Sequence, residues 1–223
     1  MGEGSKERIS LSIYFFLLGF GFASWASRIP SIKENFDFNE AELGNLLLAM
    51  PISSLIGLPI SGWLVSKFNS RVPLFASFAV FAASLYAIGS VSRLDHLVIA
   101  VSVFSFCMRI SNITVNTQSL ALQEKREKII IGSFHGLWSL GGLFGALFST
   151  ILVKLQVPMI DHFLYVTVIS LLAGTLAYTF LLKKDKSEVG NKLVLGKPDA
   201  YILYLGLMVF FAALCEGGMF DWS

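Results

Sequence analysis

Seven long apolar runs fill nearly the whole chain: Ile9–Ser27, Leu43–Ser66, Val72–Ser92, His96–Leu122, Ile129–Val153, His162–Leu182 and Ala200–Trp222. A stretch of about 20 apolar residues is long enough to cross the hydrocarbon core of a bilayer as a helix. The runs are too long, and too irregular in their alternation, for the strands of a transmembrane barrel. A soluble fold is excluded by supply: of 223 residues 55% are hydrophobic and only 14% charged, with mean hydropathy +0.70, too little charge to coat a domain of this size. The expected fold class is an all-α membrane protein, a bundle of about seven transmembrane helices.

The net charge of +2 says little, but its distribution says more. With the amino terminus in the cytoplasm, the inner segments hold Lys6, Arg8, Lys67, Arg71, Lys125, Arg126, Lys128, Lys183, Lys184, Lys186, Lys192 and Lys197, while the outer loops hold Lys33, Arg93 and Lys154, with Arg28 at a helix end. This bias predicts a multi-pass protein of the cell (inner) membrane with a cytoplasmic amino terminus. Basic residues dispersed over short loops argue against nucleic acid as a partner. Cys107 and Cys215 both fall inside predicted helices with no metal-ligand spacing, so no metal and no cofactor are expected. Ser24-Trp25-Ala26 faintly mimics a signal-peptidase site, but Arg28 and Pro30 follow at once and six more runs come after, so the first run reads as a retained helix.

Connections are short: Ser31–Glu42 and Arg93–Asp95 on the outside, Lys67–Arg71 and Gln123–Lys128 on the inside. The one long break is polar, basic and carries Gly190, Gly196 and Pro198. The expected organisation is a six-helix bundle over 1–182, a cytoplasmic linker over 183–199, and over 200–223 the first helix of a second bundle. A chain that stops after this helix reads as a truncated piece of a longer protein. Leu43–Leu64 aligns on Ile131–Leu152 at a constant offset of 88, matching Gly44 with Gly132, Leu55 with Leu143, Gly57 with Gly145, Ser61 with Ser149 and Leu64 with Leu152. An offset of three helices makes the copies cross in opposite directions, the three-plus-three inverted repeat of secondary transporters.

Polar residues inside the runs mark candidate sites. On the fourth run Ser105, Arg109, Asn112, Asn116 and Ser119 share one narrow face at helical spacing. A fixed charge at mid-bilayer costs roughly 2.5–3.5 kcal/mol, so Arg109 must face protein or water. The stripe either lines a cavity, with Arg109 for an anionic group and the amides for hydroxyl-rich ligands, or serves as interhelical glue. Gln118 points to the opposite face and should bond a neighbour. Trp25 and Arg28 on the first run read either as substrate contacts or as an interfacial anchor with a snorkelling cation. On the fifth run His135, Ser139, Gly142, Ala146 and Ser149 share a face; His135 is either a proton relay or a packing histidine. Glu216 and Asp221 end the seventh run beside Gly217 and Gly218, and are proton-coupling candidates if buried, ordinary surface acids if not. No hydrolase, phosphate-loop or zinc motif is present, and nothing points to an enzyme.

The connection Gly62-Trp63-Leu64-Val65-Ser66-Lys67-Phe68-Asn69-Ser70-Arg71 resembles the short cytoplasmic signature of the major facilitator superfamily, with Gly62, Lys67 and Arg71 at matching places. It departs at Ser66, where the family usually has Asp, and at Asn69, where it usually has Gly. Ala23-Ser24-Trp25-Ala26-Ser27-Arg28-Ile29-Pro30, His135-Gly136-Leu137-Trp138-Ser139-Leu140-Gly141, and Glu216-Gly217 with Asp221-Trp222 are similar to the MosC-like, fucose-permease-like bacterial branch. The resemblance implies the amino-terminal half plus one helix of a twelve-helix carrier working by alternating access, with the first, fourth and seventh runs lining a central cavity.

The expected function is secondary active transport of a small solute, sugar- or cyclitol-like or another small organic molecule, with proton coupling. The partners would be the solute, the lipid bilayer, a proton gradient and the missing carboxyl-terminal half. Trp25, Arg28, Arg109, Asn112, Asn116 and Ser139 would lie on the substrate path, with Glu216, His135 and Asp221 as protonation candidates. The alternatives are a drug efflux carrier of the same superfamily and a non-transporting membrane scaffold.

Overall fold

The computed structural model describes residues 3–185 and 199–222, with side chains described over 5–185, 199–212 and at 215. The described residues fall in two units, Met1–Asn191 and Lys192–Ser223. The first holds α1 (Glu3–Ala26), α2 (Ile29–Asn35), α3 (Glu40–Lys67), α4 (Arg71–Ser90), α5 (Leu94–Arg126), α6 (Ile131–Lys154) and α7 (Met159–Tyr178). The second holds α8 (Ala200–Trp222). No strand occurs among the described residues, and six of their helical segments have the length and apolarity to cross a membrane.

Boundaries follow local chemistry. α2 starts ahead of the expected outer loop Ser31–Glu42 and takes up its first residues, because Pro30, set just inside the helix start, has a backbone already fixed for a helix. Asn39 and Glu42 then form a capping box: the Asn39 side chain accepts from the Glu42 N–H at 3.0 Å and the Glu42 carboxylate accepts from the Asn39 N–H at 2.9 Å. The sixth run stops short of its expected end at Leu182. Leu182 N–H donates to Gln118 Oε1 at 3.2 Å and Leu182 carbonyl accepts from Gln118 Nε2 at 3.1 Å, so a buried side chain of α5 replaces the next helical turn. Gln118 thus lies opposite the polar stripe and bonds a neighbour, as its register predicts.

The largest contacts pair α1 with α6 and α7, and α5 with α3 and α4; α4 also meets α7, and α1 meets α5. Exchanging α1, α3, α4 for α5, α6, α7 leaves this list of pairs unchanged, as the inverted repeat requires. The match extends to single contacts. A Cβ placed on Gly57 would press on the Phe106 carbonyl and the Arg109 Cβ; one placed on Gly145 would press on the Phe20 carbonyl and the Ala23 Cβ. In both copies the glycine sits over residues three apart on its partner helix. Ser61 and Ser149, the next aligned pair, are both fully buried.

Small residues set the closest approach. The Gly19 backbone lies against the Trp138 carbonyl and the Gly141 backbone against the Phe16 carbonyl, with no room for a methyl group between. Elsewhere polar side chains bridge helices: Tyr14 Oη donates to the Gly174 carbonyl at 2.8 Å, Ser10 Oγ to the Ala177 carbonyl at 2.6 Å, and Thr167 Oγ1 to the Ala82 carbonyl at 2.7 Å. Around them packs a core rich in phenylalanine: Phe15, Phe78, Phe81, Phe104, Phe134 and Phe163.

Candidate functional site: the cavity at Arg109

α5 turns Ser105, Arg109 and Asn112 toward α1 and α3, where with Phe22, Met50, Pro51, Ser54 and Met108 they line a cavity of about 200 Å³. Gly57 allows this, because α3 rests directly on the aliphatic stem of Arg109. The Arg109 Nε donates to Ser54 Oγ at 2.6 Å. No carboxylate pairs with the guanidinium among the described residues. Ser105 is structural as well as lining: its Oγ donates to the Met50 carbonyl at 2.7 Å, tying α5 to α3. One hydroxyl thus holds the Arg109 side chain in place, and its two terminal nitrogens have no hydrogen-bond partner among the described residues, an arrangement chemically suited to a carboxylate or to paired hydroxyls.

The rest of the stripe behaves differently. Asn116 Nδ2 donates to the Asn112 carbonyl at 2.8 Å, and Ser119 Oγ to the Asn116 carbonyl at 2.8 Å, so both turn back onto their own helix. Trp25 is buried in the layer behind the cavity wall, with ring centroids 6.0 Å from Phe22 and 5.6 Å from Phe104. Arg28 does not line the cavity. It is 5% exposed at the end of α1, donating from Nε to His162 Nδ1 at 3.0 Å and from Nη2 to the Val157 carbonyl at 2.8 Å. Ser139 and His135 are exposed on α6, the His135 ring standing edge-on to Phe15 at 5.6 Å. The side chains of Glu216 and Asp221 lie outside the described residues, as do residues 186–198 of the expected linker.

The α3–α4 turn is braced from α7. Arg71 Nη2 donates to the Tyr178 carbonyl at 3.0 Å, and its guanidinium lies 4.2 Å from the centre of the Tyr178 ring. Lys67 Nζ lies 5.0 Å from the Trp63 ring centre and 5.7 Å from that of Phe68. Gly62 is half-buried in the last part of α3, and Ser66 donates to the Trp63 carbonyl at 2.8 Å. Asp185 accepts from the Ser70 N–H at 3.1 and 3.2 Å and from its hydroxyl, capping the start of α4. Sequence reasoning missed Asp185, His162, Ser54, Phe22, Met50 and Met108. Each acts through a partner on another helix, and only Ser54 carried a signal, a hydroxyl between Pro51 and Pro59 inside an apolar helix.

Among known proteins, an uncharacterized MFS-type transporter of Yersinia pestis is 29% identical over 99% of this chain and 57% of its own length. An uncharacterized transporter of Sinorhizobium fredii is 30% identical over 94% and 56%. The membrane protein MosC of Rhizobium meliloti is 27% identical over 99% and 54%. The chain spans about half the length of these curated relatives. The family model for the Major Facilitator Superfamily matches residues 11–222. With that match running nearly end to end over an inverted-repeat bundle of membrane-length helices, the chain belongs to the Major Facilitator Superfamily.

Proposed function

We propose that this chain supplies the amino-terminal bundle of a secondary carrier that moves a small organic solute across a bacterial inner membrane by alternating access. The observation that carries the reading is the guanidinium of Arg109. It is half-buried at a cavity between α1, α3 and α5, held by Ser54 and unmatched by any acid among the described residues. A charge kept inside a membrane bundle faces a cavity or a partner, and a solute in this cavity would supply the counter-group. Transporter-named relatives support the general class, and the surplus of Lys and Arg at the end shared by the α3–α4 and α5–α6 turns supports a cytoplasmic amino terminus.

Asn112 and Arg109 suit a sugar- or cyclitol-like solute bearing hydroxyls or one acidic group. Phe22, Met50, Pro51 and Met108 make the rest of the wall apolar, which favours as second reading an amphiphilic, drug-like solute. Proton coupling would fall to Glu216, with His135 or Asp221 as alternatives. The test is uptake and efflux in vesicles by the full-length carrier across a solute panel, with and without a pH gradient. Arg109→Ala should lower transport of the recognised solute about ten- to a hundredfold, the cost of losing one charged hydrogen-bonding group at about 1.5–3 kcal/mol. Wild-type rates in Arg109→Ala protein would remove the cavity from the substrate path.

A further inference from the structure

The end of the bundle opposite the α3–α4 turn contains a buried cation in direct contact with a buried histidine. His162, at the start of α7, has no exposed surface, and Arg28, at the end of α1, is 5% exposed. An arginine nitrogen can only donate. The 3.0 Å contact from Arg28 Nε therefore makes His162 Nδ1 an acceptor and leaves the ring hydrogen on Nε2. That hydrogen faces Ser149 Oγ at 3.3 Å, and Ser149 in turn donates to the Gly145 carbonyl at 2.7 Å. The chain of donors runs one way, from Arg28 through His162 and Ser149 into the backbone of α6, and only the neutral ring satisfies it.

Among the described residues the surroundings offer no counter-charge. α6 presents Phe148 and Ser149 to the imidazole, and α7 adds Phe163. α4 brings Gly89 against Phe163 and Ile160. The α6–α7 turn gives Arg28 the Val157 carbonyl. The charged groups nearest in sequence, Lys154 and Asp161, form no ion pair or hydrogen bond with either residue, and neither does any other carboxylate among the described residues. A proton added at Nδ1 would set an imidazolium N–H against a guanidinium N–H about 3 Å away in a site closed to water.

We propose that His162 is a proton-binding site whose occupancy controls the attachment of α1 to the α6–α7 hairpin: neutral, it latches Arg28; protonated, it releases it. Release frees the last turn of α1, the helix that carries Phe22 into the cavity wall and Trp25 behind it. The proposal stands on the bundle itself and does not depend on the solute or on the role of Arg109.

The direct test is nitrogen-15 NMR of histidine-labelled full-length protein in micelles. Near pH 7.5 His162 should show the tautomer with hydrogen on Nε2 and a bare Nδ1, assigned by its loss in His162→Gln. The opposite tautomer, or an imidazolium at that pH, would overturn the latch. Glutamine can accept from Arg28 through Oε1 and donate to Ser149 through Nε2, but it does not titrate. Below about pH 6.5, where the histidine of an unfolded chain takes up a proton, wild type should lose several degrees of thermal midpoint that His162→Gln keeps. Parallel losses in both proteins would sink the idea. Should the glutamine protein fail to fold, the same signal is assigned in protein whose other histidines are replaced, so the tautomer is still read.

Discussion

One methyl group decides whether α1 and α6 can touch. A Cβ on Gly141 would enter the space of the Phe16 carbonyl, whereas a Cβ on its neighbour Gly142 would meet nothing within 4 Å. Gly141→Ala should therefore destabilise the bundle by about 1–3 kcal/mol, as overpacking of a tight contact does. Gly142→Ala should be neutral or slightly stabilising, by up to about 1 kcal/mol, since alanine is the better helix former. Thermal midpoints of the two proteins in the same detergent check the pair, and equal midpoints would contradict the close approach. Residue spacing made part of the cavity legible in the sequence: Ser105, Arg109 and Asn112 sit where a 3.6-residue period puts them. It could not supply Ser54 or Phe22, because the register between helices depends on glycines that leave no periodic trace. The same blindness hid His162, whose partner Arg28 lies 134 residues away in sequence.

At the scale of elements, the runs of apolar sequence translate into helices whose ends shift by up to six residues, and α7 stops early where a side chain from another helix takes over. Three turns rely on non-glycine residues in the left-handed region: Asp37 after α2, Glu127 after α5 and Gln156 after α6. Sequence offers no warning of such turns, since glycine is the residue that usually announces them. The exit of α7 is fixed instead by Gln118, fully buried on α5, which gives and takes a hydrogen bond with Leu182. Gln118→Leu would leave both backbone groups of Leu182 without that partner in a buried place. It should cost about 1–3 kcal/mol and loosen the segment after Tyr178. Hydrogen exchange confined to residues 179–185 would rise; unchanged exchange there would show that the bond is dispensable. Because Asp185 caps α4 in that same segment, the loosening should spread to the α3–α4 turn.

For the whole molecule, two sequence signals carried the architecture: the seven apolar runs and the repeat at an offset of 88. The repeat looked thin because only glycine, serine and leucine matched, yet small residues set contact between membrane helices, and the matched Gly57, Gly145, Ser61 and Ser149 are all buried. Sidedness is a separate matter of charge. In cells bearing the protein freed of native cysteines, Arg93→Cys should react with an impermeant thiol reagent and Lys128→Cys should not until the membrane is opened. The reverse pattern would invert the proposed orientation. An ideal bundle of two inverted copies would look alike from both compartments and could not favour a direction. Here the matched glycine contacts differ: Gly145 meets the methyl of Ala23, and Gly57 the aliphatic stem of Arg109. If the bundle carries a solute as proposed, its two inverted halves would offer that solute different chemistry, a methyl where one half rests on its partner helix and an arginine where the other does.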